Sequence, residues 1–426
     1  MNIELVNTGS ELLLGRVLNT HQQWICRQLS DHGYTVNRQV AIGDGSQDIR
    51  NAVREALERA DLVITTGGLG PTCDDVTRER IAELLQRKLL HIPEVEEAIR
   101  RYFESRGRTP PAKTRVESFV PEGADWLKNQ FGTAPGLVIS VDPNTFRASG
   151  ERSLLVMLPG PPRELRPMFR DQVLPLLARE FPRTDGFVCR TLKTTGLGES
   201  LMEERLEAPL KPLVEGGMEL GFCARMGEVD VRFVAIGPRA ESIVAEAERL
   251  TLESAGEFVF GSGDDQLESV LVQEMSARCQ TLALAESCTG GHIANRITNV
   301  PGASAVLLAG LVTYHNDAKI QLLGVLPATL AAHGAVSEPV AREMAEGARR
   351  VTGADFALAV TGVAGPGGGS KEKPVGTVFL ALSSIEGTIV LKQLNAFERE
   401  TFKHLTTQQA LAMLRRAVLE TSPALA

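Results

Sequence analysis

With 426 residues, 43% of them hydrophobic and 23% charged, the chain has the composition of ordinary globular material and length for two or three domains, each with its own core. Its 53 acidic residues outnumber its 45 basic ones, for a formal charge of -8, and no long basic run occurs; this argues against a nucleic-acid surface, so any phosphate ligand must be held locally. The six cysteines, at 26, 73, 189, 223, 279 and 288, form no CxxC pair, and there is neither a basic-then-apolar leader nor a run of 18 apolar residues, so zinc, a disulfide framework, secretion and membrane insertion are all unexpected and a reducing cytoplasm fits.

The first third alternates strand and helix patterns: strand at 3–7, helix at 20–29, strand at 35–42, helix at 47–59 and strand at 62–66. Such alternation predicts a parallel sheet covered by helices on both faces, with ligands gathered at the carboxyl ends of the strands. Two loops fall there. One is TGSELLLG, residues 8–15, with Glu11; the other is TTGGLGPTCDD, residues 65–75. In the second, Gly67, Gly68 and Gly70 free the backbone to wrap an anion, Thr72 offers a hydroxyl, and Asp74 and Asp75 open a helix at 76–87. Either aspartate alone is an ordinary helix cap, and the glycines match neither the Walker nor the dinucleotide pattern. Two carboxylates beside a phosphate cradle suit a divalent cation bridging to phosphate.

A long helical pattern at 162–181 closes this part of the chain. A smaller segment follows, with strand patterns at 187–194 and 229–236 and helical patterns at 199–206 and 240–252; its KTTGLGES run lacks the GK[ST] ending of a phosphate loop and reads as a turn and helix start. Residues 260–265 read as a linker. Beyond it come a helix at 267–278, a strand at 281–285, a helix at 292–297, strands at 305–313, 356–360, 377–382 and 388–394, and helices at 339–351 and 401–419: a second α/β unit.

Ser287 falls on the strand-to-helix turn of that unit, with Gly290 and Gly291 just after it, and the first helical amides are expected to face whatever Ser287 attacks. Ser or Thr at such a turn ordinarily caps the helix, and no GxSxG elbow is present. Cys288 is a rival nucleophile, more often an inert small hydrophobe. A serine hydroxyl needs a base; His292, His315, His333 and His404 fall in no matched motif, whereas Lys319 serves if desolvation lowers its pKa. Glu286 either orients Lys319 or caps.

Several of these stretches carry a family resemblance. TGSELLLG, GGLGPTCDDVTRE at 67–79, NQFGTAPG at 129–136 and LPGPPREL at 158–165 look like the N-terminal domain of the CinA (competence/damage-inducible) family, itself similar to the molybdopterin-binding fold. AESCTGG at 285–291, TYHNDAK at 313–319, AVTGVAGPGGG at 359–369 and PVGTV at 374–378 closely resemble its C-terminal domain. The resemblance implies two α/β domains, an N-terminal molybdopterin-binding-like three-layer sheet at 1–170 and a C-terminal α/β domain at 264–422, joined by a small α+β KH-like module at 171–258 that carries no site.

It further implies an ADP-ribose pyrophosphatase dependent on a divalent metal, giving AMP and ribose 5-phosphate, and a nicotinamide mononucleotide deamidase that needs no cofactor. Gly67, Gly68, Gly70 and Thr72 would cradle phosphate; Asp75, alone or with Asp74, would hold the metal; and Glu11 would meet sugar hydroxyls or metal-bound water. In the C-terminal domain Ser287 would be the nucleophile and Lys319 the base, Tyr314 and Thr361 would position the hydroxyl network or the substrate, and Gly290, Gly291, Gly365, Gly368 and Arg399 would contact substrate, the last at its phosphate end. The chain departs from the family at Cys73, where proline is usual, at Gly367, where aspartate is common, and at Lys403-His404, where arginines are common. Small-molecule nucleotides, a homodimer and no nucleic acid or membrane partner are expected. The alternative is a nucleotide- or pterin-binding or competence-related adaptor with one or both activities vestigial.

Overall fold

A computed structural model describes residues 1–420. The chain divides into two compact units, the first Met1–Val188 and the second beginning at Cys189. The expected end of the C-terminal domain at 422 lies outside the described residues.

In chain order the first unit contains β1 (Ile3–Thr8), α1 (Ser10–Leu13), α2 (Thr20–Asp31), β2 (Val36–Ile42), α3 (Ser46–Leu57), β3 (Leu62–Thr66), α4 (Thr77–Leu84), β4 (Leu89–His91), α5 (Pro93–Glu104), a 3-10 turn (Ala112–Ser118), β5 (Phe119–Pro121), β6 (Ala124–Leu127), β7 (Gly136–Val141), β8 (Ser153–Leu158), α6 (Pro162–Met168) and α7 (Leu174–Glu180). The six-stranded sheet runs β2-β1-β3-β8-β7-β6, and β4 pairs with β5 outside it. Strands β2, β1, β3 and β8 are parallel, but β7 pairs antiparallel with β8, and β6 antiparallel with β7. The sheet is therefore mixed rather than wholly parallel. Alternation along the strands feeds two cores: Leu5, Ile64 and Val156 pack with Ile25, Leu29 and Phe169 on one face, while Val6, Val63 and Leu155 pack with Ile49, Val53 and Ile81 on the other. That makes three layers.

The helix expected over 162–181 is interrupted by a π turn at Phe169–Val173. Pro175 has no N–H to continue the ladder, and the wider turn accommodates the loss. Val173, Leu174 and Leu177 all enter the first core, so the expected boundary at 170 cuts through this packing and the unit extends beyond it.

The second unit opens with β9 (Val188–Thr195), α8 (Glu199–Glu215), β10 (Glu219–Arg225), β11 (Glu228–Ala235), α9 (Ala240–Ala255) and β12 (Val259–Ser262), in the sheet order β10-β11-β9-β12. Part of the expected linker is thus strand: β12 pairs antiparallel with β9. Next come α10 (Leu267–Ala277), β13 (Leu282–Glu286), α11 (His292–Thr298), β14 (Leu307–Val312), α12 (Asn316–Leu323), α13 (Pro327–His333), α14 (Glu338–Thr352), β15 (Phe356–Gly362), β16 (Thr377–Ser384), β17 (Gly387–Leu394) and α15 (Arg399–Glu420). Their sheet runs β14-β13-β15-β16-β17; the first three strands are parallel, β16 pairs antiparallel with β15, and β17 antiparallel with β16.

Along β13 the side chains divide by size. Leu282 and Leu284 meet α10, α11 and α15, whereas Ala283 and Ala285 meet α14 through Ala341, Ala345 and Ala348. Small residues on both surfaces bring α14 close to the sheet. At Gly347 a side chain would stand 2.0 Å from the Leu323 carbonyl, so only glycine lets α14 lie against the end of α12. That contact seats Lys319, carried by α12. No helix among the described residues is long and apolar enough to cross a membrane.

Candidate functional site

In the first unit a cavity of about 520 Å³ opens where β1 and β3 end, lined by Thr8, Gly9, Thr66 and Gly67. Gly67 and Gly68 take φ of 98° and 68°, conformations that favour glycine. Added side chains would also collide, at 2.7 Å from the Thr8 carbonyl and 2.0 Å from Thr77 Oγ1 respectively. The glycine loop is therefore pressed against the strand end and the start of α4.

The electrostatics of this cavity are one-sided. Glu11, Asp44, Asp74, Asp75, Glu117 and Glu164 line it, and no lysine or arginine does among the described residues. The Thr72 hydroxyl reaches both Asp74 Oδ1 and Asp75 Oδ2, and the Thr72 amide donates to Asp75 Oδ2 at 3.0 Å. That hydroxyl holds Asp74 below the usual carboxylate range. It has one proton for two acceptors, so the two carboxylates converge with less positive charge than they can bind, an arrangement that fits an oxygen-coordinated cation. Clusters of three or more His, Cys, Asp or Glu placed to hold a metal do not occur among the described residues, so the remaining ligands would come from water or from the substrate.

Sequence reasoning placed Glu11, Gly67, Gly68, Gly70, Asp74 and Asp75 here, and all line the cavity, with Thr72 bonded to both aspartates. It missed Asp44, Glu117, Glu164 and His21. Burial pushes Glu164 up despite the Asn129 amide that donates to it at 2.8 Å, and burial pulls His21 down. Asn129 and Glu164 both lie in stretches that carried the family resemblance, which was the available signal. Asp44 and His21 lay in no such stretch.

In the second unit Ser287 follows β13, its amide donating to the Val360 carbonyl at 3.0 Å across the sheet. Lys319 is fully buried. Its Nζ lies 3.1 Å from Ser287 Oγ, 2.7 Å from the Thr313 carbonyl and 3.3 Å from the Tyr314 carbonyl. Burial lowers its pKa, and it forms no ion pair among the described residues. A neutral amine has two N–H groups and one lone pair. Two carbonyls can take the two protons, which leaves the lone pair for the serine hydroxyl.

Glu286 resolves to the cap. Its carboxylate accepts from Thr289 Oγ1 at 2.7 Å and from the amides of Gly291, Ile293 and Ala294 at 3.0, 3.1 and 2.8 Å. The expectation that first-turn amides of this helix face the group attacked by Ser287 is thereby corrected. A buried carboxylate requires its own donors, and these three amides supply them. Gly290 and Gly291 carry the loop through φ of 62° and 91°. Cys288 is 5% exposed, and burial pushes its thiol up to about 12, so no thiolate nucleophile is available at neutral pH.

The other expected residues lie around this pair rather than on it. The Tyr314 hydroxyl accepts from Arg399 Nη2 at 2.8 Å, Arg399 Nη1 donates to the Gly365 carbonyl at 3.0 Å, and the buried Thr361 hydroxyl donates to the Ala335 carbonyl at 2.8 Å. No hydrogen bond joins Tyr314 or Thr361 to Ser287 among the described residues. Gly365 and Gly368 take φ of 74° and 85° in the loop after β15. Lys403 brings a cation beside the Ser287 loop, its Nζ 3.8 Å from where a side chain at Gly290 would begin.

The fold and the two polar centres define a class: two α/β domains with an α+β module between them in sequence, each α/β domain carrying polar groups at its strand ends. Residues 4–179 match a family described as a probable molybdopterin binding domain, residues 189–261 the damage-inducible protein CinA KH domain, and residues 264–418 the CinA C-terminal domain. A putative competence-damage inducible protein of Moorella thermoacetica is 41% identical over 421 residues, covering 98% of this chain and 99% of its own. A CinA-like protein of Akkermansia muciniphila is 42% identical, covering 97% of each chain. The crystal structure of the competence/damage inducible protein CihA from Agrobacterium tumefaciens shares 44% identity over 36% of this chain and 94% of that one, with a TM-score of 0.35. The chain belongs to the CinA family.

Proposed function

We propose that the chain is a bifunctional pyridine-nucleotide recycling enzyme: the first unit hydrolyses ADP-ribose to AMP and ribose 5-phosphate with a divalent metal, and the C-terminal domain deamidates nicotinamide mononucleotide to nicotinate mononucleotide and ammonia. The observation that carries the reading is the buried Lys319 amine, 3.1 Å from Ser287 Oγ and with both nearby carbonyls available for its own protons.

In the deamidation, Ser287 Oγ gives its proton to Lys319 Nζ and attacks the carboxamide carbon, so a C–O bond forms and the carbonyl oxygen takes the displaced electron pair. When the tetrahedral species collapses, the C–N bond breaks, and the proton held on Lys319 passes to the leaving nitrogen, which departs as ammonia. Water then attacks the acyl ester, its proton going to Lys319 and on to Ser287 Oγ, and nicotinate mononucleotide is released. Arg399 and Lys403 are the cations available to the substrate's phosphate.

For the first unit, support comes from a cavity lined by no lysine or arginine among the described residues. A diphosphate entering among six carboxylates needs a counter-cation, and Asp74 and Asp75 converge to hold one. Bound there, a divalent metal would screen the diphosphate and supply an activated water. The glycine loop would wrap the phosphates with its backbone, and Glu11 would accept from sugar hydroxyls.

Ammonia release from nicotinamide mononucleotide by the full chain in EDTA tests the C-terminal reading. Parent activity with loss of about 10³-fold or more in Ser287→Ala and Lys319→Ala is expected. A folded parent that releases no ammonia overturns the deamidase assignment.

A further inference from the structure

Glu117 has no part in either proposed reaction. It stands on the 3-10 turn Ala112–Ser118, is 1% exposed and lines the cavity of the glycine loop. Its Oε1 accepts from Thr133 Oγ1 at 3.1 Å. Its Oε2 is buried with no hydrogen-bond partner among the described residues. An ionised oxygen so placed would lose its hydration with nothing in return. A carboxylic acid there has instead a proton to give and lacks only an acceptor.

The groups facing Glu117 are of both signs. Arg78 of α4 favours its ionised form, but that guanidinium is already engaged by Glu79 and the Leu69 carbonyl. Glu164 of α6 and Asp75 of the glycine loop oppose ionisation. Burial is the largest influence, and together these push the carboxyl up to about 7. A third-ligand role beside Asp74 and Asp75 finds no support, since no three such side chains converge on one metal position among the described residues.

We propose that Glu117 binds ligand as a neutral carboxylic acid, its Oε2–H donated to an oxygen of the nucleotide's diphosphate in a cavity that offers that anion no lysine or arginine. The bond is charge-assisted, with the charge on the acceptor, and it turns one of the six lining carboxyl groups from an acceptor into a donor. Carboxylic acids kept neutral by an apolar setting for this purpose are physically reasonable. The inference rests on the diphosphate reading of the first unit.

The test is calorimetric titration of the full chain with magnesium and the α,β-methylene analogue of ADP-ribose, which is not hydrolysed and whose diphosphate charge does not change between about pH 6 and about pH 9. Parent affinity should fall as pH rises through about 7, approaching tenfold per pH unit, with proton uptake on binding above that point. Glu117→Gln, a neutral donor of the same shape, should bind about as tightly as the parent near pH 6 and show neither the fall nor the uptake. Glu117→Ala should bind about tenfold or more weakly near pH 6.

A parent affinity that is flat with pH, or a folded Glu117→Gln protein as weak as Glu117→Ala, overturns the role of Glu117 while the diphosphate reading stands. A parent that binds nothing at any pH overturns both. The two failures differ in whether the parent binds.

Discussion

The two polar centres of this chain gather charge of opposite sign and handle it in opposite ways. The first-unit cavity gathers six carboxyl groups without one lysine or arginine among the described residues, and of the six only Glu117 and Glu164 are buried. At the other centre Lys319 is buried without a carboxylate partner among the described residues, and burial lowers its pKa. Glu286, in the same domain, shows a third arrangement: it is buried, and four donors converge on its carboxyl group. Burial alone therefore does not say what a charged group will do. The number of donors or acceptors aimed at it decides.

Metal removal breaks this comparison most sharply. Dialysis against EDTA should reduce ADP-ribose hydrolysis by about 10³-fold or more and leave ammonia release from nicotinamide mononucleotide within experimental scatter, both measured on one preparation. Equal sensitivity of the two activities would mean that the centres are not electrostatically distinct.

The pH dependence of the deamidase is the next largest effect. In the proposed deamidation Lys319 acts as the base in its neutral form, and burial lowers its pKa below the ordinary lysine value. kcat/KM for ammonia release should rise with pH by up to about tenfold per unit and level off below the ordinary lysine pKa of about 10.4. Between the folded and unfolded values the unfolded chain binds the extra proton, so folding stability of this domain also rises with pH in that window. A rate that is flat across it would remove Lys319 as the titrating base.

A smaller effect separates Glu117 from the ionised carboxylates around it. Its folded pKa, about 7, lies above the unfolded value of 4.5, so its contribution to stability is lost as pH rises between the two. Without ligand, Glu117→Gln should stabilise the first unit by on the order of 2 kcal/mol near pH 8 and by little near pH 4, read from urea denaturation at each pH. The smallest effect is expected at Cys288. Cys288→Ala should cost about 1 kcal/mol of stability for lost packing and change deamidation less than about threefold, because the thiol does not ionise at neutral pH.

Much of the architecture was legible from periodicity. The strands at 3–8 and 62–66 and the helices at 20–31 and 267–277 lie close to where alternation and 3.6-residue spacing put them. The strands at 136–141 and 153–158 went unread, although they are buried like those at 3–8 and 62–66. The residues of the candidate site were legible as residues, through motif resemblance and the chemistry of Ser, Lys, Asp and Gly.

Which of them meet was not legible. Ser287 and Lys319 are 32 positions apart, and their contact depends on α12 lying against α14, which in turn depends on one glycine, Gly347. Glu286 admitted two readings in sequence, and only the placement of three helix amides chose between them. Glu117 carried no local signal at all. The sequence by itself determined the order of the domains, the strand-end loops and the inventory of reactive groups, because these depend on local spacing and side-chain chemistry. Tertiary structure alone decided the charge each group carries, because charge in a folded protein is set by neighbours that are remote in sequence.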